Sequence, residues 1–187
     1  MWTPSAGSQA IAAGRTSRLT RLSLLLAASI SIWLLEALLL PSLPIPGAKF
    51  GFANVVTLLV IVGYGLSETL SNITLRVLAG SLVTGTLLGP AFLLAFFAGL
   101  AAALVMYAAY NWKRGGLSLV GVSVAGSVTH VAIQLVLAAF ITGTWLVWLQ
   151  APLLVLVAVG TGCFNGLVGW LVAVRVYPER IRVETAG

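Results

Sequence analysis

The sequence predicts an all-α integral membrane protein of six transmembrane helices, and three observations carry that expectation. Hydrophobic residues make up 60% of the 187-residue chain and charged residues only 7%, a balance far from that of a water-soluble domain. Six apolar stretches of spanning or near-spanning length are divided by glycine- and proline-rich breakers. Basic residues gather in alternate connections between those stretches, as the positive-inside rule requires of a multi-pass protein.

The stretches follow in order. The first runs from Leu19 to Leu40 and is long enough to span, so it reads as a retained helix and not as a cleaved leader. Between it and the second lies the segment 41–54, which holds Pro41, Pro44, Pro46, Gly47, Lys49 and Gly51. Proline fixes φ and removes a backbone donor, so this segment cannot continue a helix. Irregular backbone at membrane depth survives only where protein or a water-filled cavity covers it, which makes the segment a candidate lid over a site. The second stretch, Phe52 to Gly65, is short, and the loop before it is expected to dip partly into the bilayer. The remaining four are Thr69 to Leu88, Ala91 to Tyr110, Leu117 to Ile141 and Ala151 to Val176. Their breakers are Gly63 to Gly65, Gly89-Pro90, Gly115-Gly116 and Gly143 to Trp145. The domain plan is a polar tail over 1–18, one membrane domain over 19–177 and a short tail over 178–187.

Orientation comes from the arginines and lysines. Arg15, Arg18 and Arg21 precede the first helix, Lys113 and Arg114 fall between the fourth and fifth, and Arg175, Arg180 and Arg182 follow the sixth. These regions share one face of a six-helix topology, the cytoplasmic one, with both termini inside. The net charge of +6 is thereby accounted for by topology, and no basic soluble face for nucleic acid remains. Trp145 and Trp148 fall on the outer side, and the loop 41–54 is then extracytoplasmic.

Polar groups inside the spans become the candidates for chemistry, because an ionisable side chain in hydrocarbon costs about 2.5–3.5 kcal/mol on insertion scales. At about 1.5 Å per residue, Glu36 lies roughly 24 Å and His130 roughly 20 Å from the cytoplasmic surface, both in the outer half. Ser123, Ser127, His130 and Gln134 repeat at spacings of four, three and four, so they share one face of the fifth helix. Glu36, Lys49, Asn54, His130 and Gln134 are expected to converge beneath the loop as a substrate-binding group, with Asn165 of the sixth helix as its floor. Two plainer readings stand beside this: the serines exist to let helices approach closely, and His130 is an interhelical donor. Counting places Arg76 at roughly 12 Å, well below Glu36, where it snorkels, pairs with a carbonyl or faces a partner protein. The triplets Ala79-Gly80-Ser81 and Ala125-Gly126-Ser127 mark helices in close contact.

Several activities are excluded by composition. The chain has no Asp, so the Asp-rich magnesium motifs of prenyl transfer are missing. Neither Lys49 nor Lys113 closes a phosphate-binding G-x-x-x-x-G-K-[ST] loop. One His and one Cys, Cys163, cannot build a zinc cluster or a bis-histidine haem site. The expectation is a protein that is not an enzyme, with no cofactor and no metal of its own.

The run Leu43-Pro44-Ile45-Pro46-Gly47-Ala48-Lys49-Phe50-Gly51-Phe52-Ala53-Asn54, followed by Val55-Val56-Thr57-Leu58, then Leu75-Arg76-Val77-Leu78 with Gly80-Ser81, and Gly121 to Gly126 ahead of His130 and Gln134, resembles the Gx transporter family. That family also carries the description heptaprenyl diphosphate synthase component I, and the likeness extends over nearly the whole chain. The family is in turn similar to the substrate-binding S-components of energy-coupling factor transporters. That resemblance implies an S-component-like bundle in a bacterial cytoplasmic membrane, a small-molecule substrate bound under the first outer loop, and as partners a transmembrane coupling protein and two cytoplasmic ATPases. S-components dock through small residues spaced four apart on the first helix; here the corresponding pair is Ala27 with Ser31, which departs from the usual Ala-Ala pair. Two alternatives remain: an accessory membrane subunit of isoprenoid or quinone metabolism, and a membrane component of a flavin- or quinone-linked electron-transfer system.

Overall fold

The computed structural model describes residues 6–39, 51–112 and 117–185, and every regular element among them is helical. The elements are α1 (Ala6–Leu39), α2 (Ala53–Gly63), α3 (Leu66–Val83), α4 (Pro90–Tyr110), α5 (Leu119–Thr142), α6 (Ala151–Val176) and α7 (Pro178–Thr185), with a 3₁₀ turn over Trp145–Gln150 leading into α6. Among the described residues, four stretches are long and apolar enough to cross a membrane, against the six expected: Thr16–Glu36, Pro90–Tyr110, Leu119–Thr142 and Trp145–Val176. The breakers fall where conformation demands them. Pro90 opens α4, where a missing N–H costs nothing, and Gly143 closes α5 in the left-handed region at φ 65°. Helix α1 begins at Ala6, well ahead of the apolar run, and the C-terminal segment forms α7.

Helix α2 organises the bundle. Its sequence, ANVVTLLVIVG, is apolar on every side, and a helix of that kind is stable only when surrounded. Nine of its 11 residues are buried, and it packs against α1, α3, α4, α5 and α6. Around it, α1 meets α3, α3 meets α4, α4 meets α5 and α5 meets α6. At 11 residues, α2 is only about 16 Å long. Its C-terminus turns through Gly63-Tyr64-Gly65 straight into α3, so its N-terminus stops about halfway along its neighbours. The preceding segment, expected to dip, lies over 41–50, outside the described residues.

Small residues let the outer helices close on one another. An added Cβ on Gly166 would stand 2.5 Å from the Val120 Cα, and one on Gly162 would stand 2.7 Å from the Val124 Cα and 3.2 Å from the Ser127 Oγ. The α5–α6 seam is therefore a backbone-to-backbone approach, with Ser123 and Ser127 buried in it at 1% and 5% exposure. This supports the packing reading of the serine stripe. The two small-residue triplets do not pair with each other. Gly80 receives the ring of Trp33 from α1 and Gly126 receives Met106 from α4, because α3 packs on α1 and α4 while α5 packs on α4 and α6.

Gly166→Ala is expected to push α5 and α6 apart and destabilise the protein by about 1–3 kcal/mol. Gly160→Ala, where an added Cβ meets nothing within 4 Å, is expected to be neutral. Reversible unfolding of the two variants in detergent measures the difference.

Candidate functional site

The site is built on three consecutive residues, Gly51, Phe52 and Ala53, where the loop 41–54 becomes α2. Gly51 adopts φ +65°, a left-handed conformation that favours glycine. Its carbonyl accepts the Asn54 N–H at 2.8 Å and also the Asn165 Nδ2 from the middle of α6, at 2.8 Å. The Phe52 N–H donates to the Glu36 carboxylate of α1. Phe52 has helical dihedrals and no side-chain cap at the start of α2, so a carboxylate from another helix does the capping, where a helix N-terminus favours negative charge. The Ala53 carbonyl accepts the Arg76 Nη1 from α3 at 3.0 Å. The Phe52 ring lies edge-on to Phe164 of α6, with centroids 5.6 Å apart.

Arg76 is held by more than that carbonyl. The same Nη1 donates to the Ser29 Oγ of α1 at 3.2 Å and to the Thr57 Oγ1 of α2 at 3.3 Å. Thr57 in turn donates to the Ala53 carbonyl at 3.4 Å. All the side chains involved are buried: Glu36 6%, Arg76 4%, Ser29 0%, Thr57 2% and Asn165 0% exposed. One anion and one cation thus bracket a single stretch of backbone inside an apolar bundle. Their fields act on each other, which offsets part of the cost of burying either charge alone.

The structure brings together Glu36, Asn54 and Asn165 from the expected binding group. Asn54 is 7% exposed, and its amide lies 3.2 Å from where a Cβ on Gly51 would stand. Arg76 belongs with them, which corrects the separation inferred from depth. Helices α2 and α3 both run from the Gly63–Gly65 turn, so the α2 start and Arg76 lie about 15 Å beyond it, within reach of the Arg76 side chain. A guanidinium buried in this way bonds the chain's own core, so its side chain does not face a partner protein. Lys49 lies outside the described residues. His130 is half-buried one turn beyond Ser127. Gln134 lines a different cavity of about 320 Å³, with Pro90, Thr142, Gln150 and Leu154 at the far ends of α4 and α5. Ala27 and Ser31 lie exposed on the outer face of α1.

Sequence reasoning missed Ser29 and Thr57. Ser29, Trp33 and Glu36 recur at four and three residues, one inward face of α1, and Thr57 lies one turn after Ala53; both spacings were available as signals. Among the described residues, no group of three or more His, Cys, Asp or Glu side chains could hold a metal.

Four helical stretches long and apolar enough to cross a membrane among the described residues, packed around a buried polar cluster, suggest a helical membrane protein. The chain belongs to the heptaprenyl diphosphate synthase component I family, whose model matches residues 25–172. No curated protein and no solved structure matches it.

Glu36→Leu removes the acceptor for the Phe52 N–H and leaves Arg76 without its buried counter-charge. Hydrogen exchange of the amides over 51–55 is expected to accelerate about tenfold or more, the equivalent of roughly 1.4 kcal/mol. Glu36→Gln keeps an acceptor oxygen and is expected to show a smaller acceleration.

Proposed function

We propose that this protein is a non-catalytic, substrate-binding membrane subunit of an uptake transporter of the energy-coupling factor type, taking a small molecule at its extracytoplasmic face beneath the loop 41–54. The observation that carries this reading is the clamp on Gly51–Ala53. Side chains from α1, α3 and α6 fix the inner end of the loop, so a ligand that moves the loop acts on three helices at once. That coupling is what a transported substrate needs if its binding is to alter a surface read by partner proteins.

Unpaired buried groups support a polar ligand. The Arg76 Nε, Asn165 Oδ1 and Ser81 Oγ have no hydrogen-bond partner among the described residues. Each such group costs about 1–3 kcal/mol when left unsatisfied, and a ligand or ordered water that reached them would remove that cost. The exposed Ala27–Ser31 pair of α1 is the surface on which a transmembrane coupling protein would dock, with ATPases beyond it on the cytoplasmic side. The termini are then cytoplasmic, and the loop and Glu36 belong to the outer half.

A second reading is favoured by the family's description: a non-catalytic membrane component of heptaprenyl diphosphate synthase, beside a separate catalytic subunit. The partners distinguish the two. Native mass spectrometry of the gently solubilised complex is expected to show ATPase subunits and a small bound molecule under the first reading, and a prenyl synthase subunit under the second. Glu36→Ala and His130→Ala are each expected to weaken small-molecule binding at least about tenfold, or roughly 1.4 kcal/mol, with membrane insertion intact. Unchanged affinity in both variants overturns the proposed site.

A further inference from the structure

At the opposite end of the bundle, the Ser17–Arg21 stretch of α1, the end of α2 and the beginning of α7 enclose a second polar cavity of about 420 Å³. It is lined by Ser17, Arg18, Arg21, Gly63, Tyr64 and Arg180. Arg18 and Arg21 project from one face of α1, three residues apart, and Arg180 is brought over them by the turn at Tyr177 that starts α7. We infer that this cavity binds a phosphate-bearing headgroup.

Its charge is the first reason. Glu68 forms an ion pair with Arg18, which leaves Arg21 and Arg180 as two guanidiniums facing one cavity. Glu179 is exposed on α7, but adjacent helical residues do not face each other. Two like charges held together favour an anion that accepts from both. A phosphate carries up to two charges and matches the planar fork of arginine.

The walls are the second reason, because they are fixed. The Arg18 guanidinium lies 5.9 Å from the centroid of the Tyr64 ring while also bonding Glu68. Tyr64 meets Tyr177 edge-on, with centroids 6.3 Å apart. Tyr177 can come so close only because position 63 is glycine: a Cβ there would stand 2.5 Å from the Tyr177 ring. Burial, then the nearness of Tyr64 and a hydrogen bond with it, push the Tyr177 hydroxyl up to about 12. The Tyr177 phenol therefore stays neutral at ordinary pH and adds no negative charge to repel an anion.

The third reason points to a lipid as the source of the phosphate. Arg18 also lines a groove of about 420 Å³ that runs between α1 and α3 past Leu19, Leu22, Leu26 and Leu75. An amphiphile could place its phosphate among the arginines and its chain along the leucines. Asn72 lines the same groove, is 5% exposed and has an Oδ1 without a hydrogen-bond partner, so a polar group just below the phosphate would be recognised as well.

The test uses the full chain in phosphatidylcholine nanodiscs containing a minor fraction of phosphatidic acid, with retained lipid read by native mass spectrometry. Phosphatidic acid is expected to be enriched about tenfold over phosphatidylcholine, to fall to the phosphatidylcholine level in R21Q/R180Q, and to be unchanged in R175Q, which removes an exposed arginine outside the cavity. A parallel titration of inorganic diphosphate into phosphatidylcholine nanodiscs separates the sources. Diphosphate binding that is lost in R21Q/R180Q, without phosphatidic acid enrichment, assigns a soluble phosphate. If R21Q/R180Q does not fold, R21K/R180K keeps the charge without the fork and is expected to lower the enrichment severalfold. No preference in either arm, or an equal loss in R175Q, overturns the proposal.

Discussion

The structure depends on how one stretch of backbone is satisfied inside an apolar bundle. Helix α2 starts about halfway along its neighbours, where no water is at hand to pair with its free N–H groups or with the carbonyls of the loop that leads to it. Glu36 takes the Phe52 N–H, Arg76 the Ala53 carbonyl and Asn165 the Gly51 carbonyl. Each acceptor or donor comes from a different helix, so forming α2 and assembling the bundle are one event. Without those three side chains, the central apolar helix would have to extend to the surface or stay unformed.

A buried carboxylate and a buried guanidinium are costly in proportion to how little they are paired. Here both are spent on backbone, and Arg76 also gathers the hydroxyls of Ser29 and Thr57. The arrangement fixes the inner anchor of the 41–54 loop in a way that apolar packing could not, because hydrogen bonds specify position where dispersion contacts tolerate sliding. The two ends of the molecule then differ in character. One holds the clamped residues Gly51 to Ala53 among buried polar groups; the other holds arginines and tyrosines around an open cavity.

Much of the fold was legible in the sequence. The apolar stretches and their Gly/Pro breakers locate α2 to α6 to within a few residues, while α1 begins well ahead of its apolar run. The shortness of the second stretch was also readable. What depth counting could not supply was where a short helix stops, because its height is set by the turn that ties it to α3. Counting along α1 and α3 gives backbone heights alone, and the reach of the Arg76 side chain to the Ala53 carbonyl was not legible from it. The α5 stripe continues about 10 Å past Ser127 to Gln134, which lines a separate cavity. Glu36, Asn54 and Asn165 stood out as polar residues in apolar runs, whereas Ser29 and Thr57 look like ordinary helix-packing residues until Arg76 is placed.

A double-mutant cycle between Glu36 and Arg76 tests the central claim most directly, with stability read from reversible unfolding of Glu36→Gln, Arg76→Gln and the combined variant. If both groups hold the same backbone and offset each other's charge, the double variant is expected to depart from the sum of the single losses by at least about 1 kcal/mol. Additivity within about 0.5 kcal/mol, the behaviour of independent sites, would contradict the account.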